Sequence, residues 1–248
     1  MKKRIYLAAM LALATVTFTS CFKEDPDVMT GLIGYYSFDN SDGTDQSGNG
    51  HTGSFTGKAD PSFIDGIRGK ALYINGDNNN AFEIPYVFFK ELDEWTVSFW
   101  AKDLNAGTIF SPQDLTINTR VYDVPRLYAD KNTKALGIQM QSDYGHTFGY
   151  NYTQNNSQWN HIVVVVDSLV PVQNAASVRV RLYVNGRRES KINGYYYKSY
   201  INRCSQTVFG GNKNRDTYIS IDAKLDEIRI YNRALKTEDI KALYELEY

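Results

Sequence analysis

"VRVRLYVNGRRES", residues 178–190, decides between the fold classes. Val178, Val180, Leu182 and Val184 alternate with Arg179, Arg181 and Tyr183, the period of a strand with one buried face. Asn185-Gly186 then supplies the two positive-φ residues of a type I′ turn, so the stretch reads as an antiparallel hairpin. Similar signals recur outward from it. In "EWTVSFWAK" (94–102) Trp95, Val97, Phe99 and Ala101 alternate with Thr96, Ser98 and Trp100. "HIVVVVDS" (161–168) has no polar break from Ile162 to Val166, as expected of a strand buried on both faces. In "LDEIRIYNRAL" (225–235) strict alternation puts Asp226, Ile228 and Ile230 on one face and Glu227, Arg229 and Tyr231 on the other.

Short apolar stretches divided by Gly, Asn, Asp and Ser clusters run from end to end, the pattern of an all-β antiparallel sandwich or jelly roll. One stretch reads as helix, "KTEDIKALYELEY" (236–248). Thr237 can cap it, Glu238 and Asp239 suit the positive end of its dipole, and Ile240, Leu243 and Tyr244 follow at helical spacing. It is expected as a short C-terminal helix at one end of the sandwich.

The chain opens on MKKR, an apolar run from Ile5 to Phe18, then Thr19, Ser20 and Cys21. This is a secretory signal, too short to span a bilayer comfortably. Ser20-Cys21 resembles the lipobox of bacterial lipoproteins, in which the cysteine is lipidated after cleavage, although Phe18 departs from the usual leucine. The Lys-Glu-Asp after Phe22 resembles the acidic export signal of Bacteroidetes outer-membrane lipoproteins. The alternatives are an ordinary cleaved signal and a solvated charged tether. The expected organisation is a signal peptide over 1–20, a lipidated cysteine and tether over 21–30, and one domain over 31–248, anchored by lipid to the outer membrane and exposed at the cell surface.

With Cys21 assigned to lipid, Cys204 has no intramolecular disulfide partner. The chain carries 27 basic and 28 acidic residues; removing residues 1–20 takes three basic and no acidic ones. That balance gives no electrostatic footprint for nucleic acid.

Seven segments, in order, resemble the concanavalin A-like jelly roll of the laminin G type, the Laminin_G_3 or LamG-like family. They are "GLIGYYSFDN" (31–40), "DQSGNGHTG" (45–53), "GIRGKALYINGDNNNAFEIP" (66–85), "WTVSFWAK" (95–102), "WNHIVVVVD" (159–167), "VRLYVNGRRE" (180–189) and "LDEIRIYNRALKTEDIKALYE" (225–245). Gly48, Gly50 and Gly53 suit a tight turn in which Asp45 and Ser47 bond back to the backbone. The resemblance places Trp95, Trp100 and Trp159 in or near the core. It also implies a structural calcium: Asp226 stands where related jelly rolls carry an aspartate that commonly helps hold the ion, with Asp39 as partner and backbone carbonyls completing the shell. A carboxylate in step with isoleucines is costly unless paired, hydrogen-bonded or metal-bound, so a salt bridge to Arg229 or Arg233, or bonds to backbone amides, stay open. Asp77, in "NGDNNN" (75–80), is a second metal candidate in a loop that also reads as an ordinary turn.

No catalytic constellation emerges. Glu91, Asp93 and Glu94 lack the same-face spacing of jelly-roll glycosidase acids. His51, His146 and His161 are scattered, no Gly-x-Ser-x-Gly elbow occurs, and "GIRGKA" lacks the first glycine and the hydroxyl residue of a phosphate loop. His161, before a core strand, is read as packing or holding backbone. Binding remains: Tyr195, Tyr196, Tyr197 and Tyr200 crowd "NGYYYKSYINRC" (193–204), and Tyr150 and Tyr152 lie among amides in "QSDYGHTFGYNYTQNN" (141–156). Tyrosine offers a flat apolar face with a polar tip, suited to a sugar ring or a protein contact. The expectation is a non-enzymatic surface lipoprotein that binds carbohydrate; the alternatives are an adhesin or assembly subunit with an extracellular protein partner and, further off, a glycoside hydrolase.

Overall fold

The computed structural model describes residues 26–113, 125–141, 144–172, 175–196, 198–214 and 217–247. Cys21 and Tyr197 lie outside them. In chain order the described strands begin with β1 (Leu32–Tyr36), β2 (Ser54–Thr56), β3 (Ser62–Asp65), β4 (Lys70–Ile74), β5 (Ala81–Ile84), β6 (Trp95–Lys102) and β7 (Gly107–Gln113). β8 (Arg126–Ala129), β9 (Ala135–Gln141), β10 (Tyr144–Asn151), β11 (Asn160–Val172), β12 (Ala175–Val184) and β13 (Arg187–Tyr196) follow. A helical turn α1 (Lys198–Arg203) leads to β14 (Gln206–Phe209), β15 (Gly211–Asn214), β16 (Thr217–Ser220), β17 (Ala223–Tyr231) and the helix α2 (Thr237–Glu247).

Among the described residues these strands form two antiparallel sheets and a small β15–β16 ribbon. The eight-stranded sheet runs β13-β12-β11-β6-β17-β4-β3, with β1 also on β17; the seven-stranded sheet runs β10-β9-β8-β7-β14-β5-β2. The jelly-roll expectation holds. Asn185 and Gly186 have φ of 50° and 72°, as the type I′ hairpin joining β12 to β13 requires.

Alternation sorts the side chains into two cores. Val97 and Phe99 of β6, Val164 and Val166 of β11, and Val180 and Leu182 of β12 face the other sheet and join its Phe82, Phe110, Leu127 and Ile138. The opposite phase of β11, Val163 and Val165, points away from that core and is covered by Leu235 and by Ile240 and Leu243 of α2. This corrects the expected place of the helix. It lies across the outer face of the eight-stranded sheet because a strand apolar on both faces needs cover on both. Thr237 meets the Tyr183 hydroxyl at 3.1 Å, and Asp239 takes the capping role by accepting from the Lys236 amide at 3.3 Å.

No helix among the described residues is long and apolar enough to cross a membrane.

Candidate functional site

Two of the three acids proposed for a metal, Asp39 and Asp226, sit at one junction. β17 pairs with β6 along one edge; its other edge is shared, Ala223–Leu225 pairing with β4 and Ile228–Tyr231 with β1. Between them the register slips by one residue: Asp226 is opposite Trp100, whereas Arg229 is opposite Ser98. Glu227, at φ 51°, is the extra residue of a β-bulge. The alternation read from the sequence therefore breaks. Ile228 and Ile230 face the intersheet core with Leu225, while Asp226, Arg229 and Tyr231 share the outer face with Trp100, Ser98 and Thr96.

Asp226 is fully buried, and both its oxygens accept backbone hydrogens. Oδ2 takes the amides of Ile67 (2.9 Å) and Arg68 (3.4 Å), and Oδ1 takes that of Glu227 (2.8 Å). Asp39 accepts the Lys70 amide at 2.9 Å. Both acids thus grip the turn from β3 into β4, against which Gly66 and Gly69 bring the chain so close that a Cβ would overlap the carboxylates. Of the alternatives for Asp226, bonding to backbone amides is the one realised; Arg229 instead pairs with Glu227 at 2.5 Å and Arg233 with Asp239 at 2.8 Å. Asp77 is exposed on a short 3₁₀ turn whose amides are held by Asn75 and Asp222. No three acidic, histidine or cysteine side chains among the described residues come together as metal ligands. Oxygens already turned toward amide hydrogens are a poor donor set for calcium, which needs six or more free oxygens.

Burial, with the Glu227 charge behind it, pushes the Asp226 carboxyl up to about 8 against the pull of those amides. His161 is buried against Trp100 and Tyr244, which also stack on each other, and its Nε2 lies 2.8 Å from the Ser98 hydroxyl. Burial, then the charge of Arg229, lowers its pKa to about 3, so it stays neutral and serves packing.

The tyrosines are placed unequally. Tyr195 and Tyr196 end β13 and Tyr200 lies in α1. Tyr150 is half-buried, packed on the core with its hydroxyl 3.2 Å from Asn160 Oδ1. Tyr152 corrects its assignment as a ligand contact: it belongs to the core at 4% exposure, its hydroxyl bonded to the Asp130 carbonyl.

A polar face missed at the sequence level lies on the seven-stranded sheet. Register puts Gly137 and Gln139 of β9, Arg126 and Tyr128 of β8, Thr108, Ser111 and Gln113 of β7, Gln206 and Val208 of β14 and Glu83 of β5 on the side turned away from the core. Thr108, Ser111, Gln113, Gln139 and Gln206 are nonetheless almost wholly buried. Arg126 crosses this face, donating to Gln139 Oε1 (2.8 Å) and Thr108 Oγ1 (3.2 Å) with its guanidinium 5.3 Å from the Tyr128 ring centre. The Tyr128 ring lies over Gly137, where a Cβ would meet it. The signal was in "RLYA" and "ALGIQMQ", whose apolar phases are clean and whose other phases hold arginine, tyrosine and glutamine.

The Laminin_G_3 family model, the concanavalin A-like lectin/glucanases superfamily, matches residues 75–241. No curated protein sequence matches the chain. Among solved structures it is similar to domain 4 of AbnA, a GH43 extracellular arabinanase from Geobacillus stearothermophilus, in complex with arabinotriose. The TM-score is 0.61 at 22% identity, covering 86% of this chain and 98% of that one. It is also similar to botulinum neurotoxin type C, whose cell entry depends on two ganglioside molecules (TM-score 0.64, 16% identity, 89% of this chain and 52% of that). A third is the binding domain of botulinum neurotoxin DC in complex with rat synaptotagmin II (TM-score 0.62, 14% identity, 90% and 53%). The chain spans about half the length of these toxin chains. At such identities the likeness is one of fold.

Proposed function

We propose, for a chain that belongs to the Laminin_G_3 family of concanavalin A-like lectin/glucanases, that it is a non-catalytic carbohydrate-binding lipoprotein whose ligand meets the polar face of the seven-stranded sheet. One observation carries this reading: the partly exposed Arg126 and Tyr128 stand side by side, with the guanidinium held by the buried Gln139 and Thr108 behind it. The guanidinium offers several donors to sugar hydroxyls, and the tyrosine ring supplies an apolar surface. Hydrolysis needs two carboxyl groups flanking the scissile bond; Glu83 is the one acid on this face among the described residues. The arabinotriose complex of the arabinanase domain supports a sugar ligand for this fold. The synaptotagmin complex of the toxin domain supports a protein partner as the second reading.

Binding of the chain lacking its signal sequence to a panel of plant and host glycans tests the proposal. A hit weakened by Arg126→Ala in a variant that still folds by circular dichroism is the expected result. A blank panel sinks the carbohydrate reading and favours the protein partner. Anchoring to the outer membrane through lipid on Cys21 is part of the same proposal; Cys21→Ala should release the protein from the membrane fraction.

A further inference from the structure

β1 is paired with β17 on one edge only, and the loop after it wraps the other. Tyr35 N donates to Asp45 Oδ1 (3.0 Å), Gln46 N to the Tyr35 carbonyl (2.8 Å), and Asn49 Nδ2 lies 3.4 Å from the Leu32 carbonyl. Asp45 also accepts from Ser47 N (2.9 Å) and His51 N (3.0 Å), so the edge strand is covered and the loop held in one conformation. His51 Nδ1 lies 3.2 Å from the Ile33 carbonyl, which can only accept. Nδ1 therefore carries hydrogen, and in the neutral ring Nε2 is an acceptor on the opposite edge.

This fixed imidazole lies flat against Tyr86, ring centres 3.9 Å apart and planes 26° from parallel. Phe88 stands edge-on to both, at 5.0 Å from Tyr86 and 5.2 Å from His51. The backbone of Tyr86 is held as well, its amide donating to Ile84 O (2.7 Å) and its carbonyl accepting from Thr207 Oγ1 (2.8 Å). Tyr86 is nevertheless 44% exposed. An exposed tyrosine is ordinary by itself. A tyrosine immobilised from behind and left open is different, because little freedom remains to be lost when a flat ligand settles on it.

We propose that Tyr86, backed by His51, is a sugar-stacking platform at the sandwich edge, separate from the face around Arg126. A saccharide ring lays its C–H face on the open face of the Tyr86 ring, the face turned away from His51. The platform rests on the carbohydrate reading above.

The test titrates the protein with a panel of neutral and sialylated oligosaccharides that includes arabinotriose. It compares wild type, Tyr86→Ala and Tyr86→Phe, and follows the Tyr86 ring of the wild type by proton–carbon NMR. Tyr86→Ala should weaken binding about tenfold or more, Tyr86→Phe should retain most of it, and the Tyr86 ring signals should move on addition of sugar. Sugar binding with an unmoved Tyr86 ring and an unweakened alanine variant overturns the platform and leaves the carbohydrate reading standing. A wild type that binds no member of the panel overturns both. The NMR arm needs no variant, so an unfolded alanine protein would not blunt the test.

Discussion

Asp226 is where burial and hydrogen bonding pull hardest against each other. Its carboxyl, raised to about 8, holds its proton through a range in which the unfolded chain has released one. The stability it contributes is therefore full below the ordinary carboxylate range and lost as pH rises through about 8. Within that window the slope approaches about 1.4 kcal/mol per pH unit. Wild-type melting temperature should fall between pH 5 and 8.5, and the fall should flatten in Asp226→Asn, as calorimetry at a series of pH values would show. The same variant should be less stable at pH 5 by about 1–3 kcal/mol, because an amide NH₂ would be turned toward backbone N–H groups. Adjacent on the bulge, Glu227 accepts from the Tyr35 hydroxyl (2.8 Å) and Arg229, whose guanidinium lies 4.5 Å from the Tyr35 ring centre. Sequence showed that these residues were charged in a strand, but it could not show which carboxylate takes the arginine, since one inserted residue exchanges their faces.

Among the elements, the turn between β3 and β4 carries the most concentrated constraint. It is held by Asp39, just after β1, and by Asp226 from β17, so two distant segments converge on residues 66–70. Gly69 has φ 56°, and a side chain there would strike the Asp39 carboxylate. Gly69→Ala should cost about 2 kcal/mol or more, from backbone strain and the displaced Asp39 bond together; chemical denaturation reads this directly. Loss of less than half a kilocalorie would mean that the turn yields easily and that the acids do not clamp it. Helix α2 was legible from its own spacing, because period and acidic first turn are local properties. Its resting place was not, since that depends on which phase of β11 is left uncovered.

For the whole molecule, the calcium expected from family resemblance meets an arrangement in which both oxygens of Asp226 and one of Asp39 already accept backbone amides. Melting in excess chelator should match melting in calcium to within a degree or two; a calcium-dependent rise would show that an ion is held after all. The chain's periodicities and its Asn-Gly turn determined an all-β antiparallel sandwich with a terminal helix, because alternation and turn chemistry are written in neighbouring residues. Seven ordered segments determined the family. Tertiary structure alone decided the bulge at Glu227, the shared grip of Asp39 and Asp226 on one turn, the burial of Tyr152, and the polar face that assembles Arg126, Gln139 and Thr108 from three strands. It also brought His51 against Tyr86 across 35 residues of chain. Each of these is a pairing of distant segments, and local pattern carries no information about which distant segment arrives.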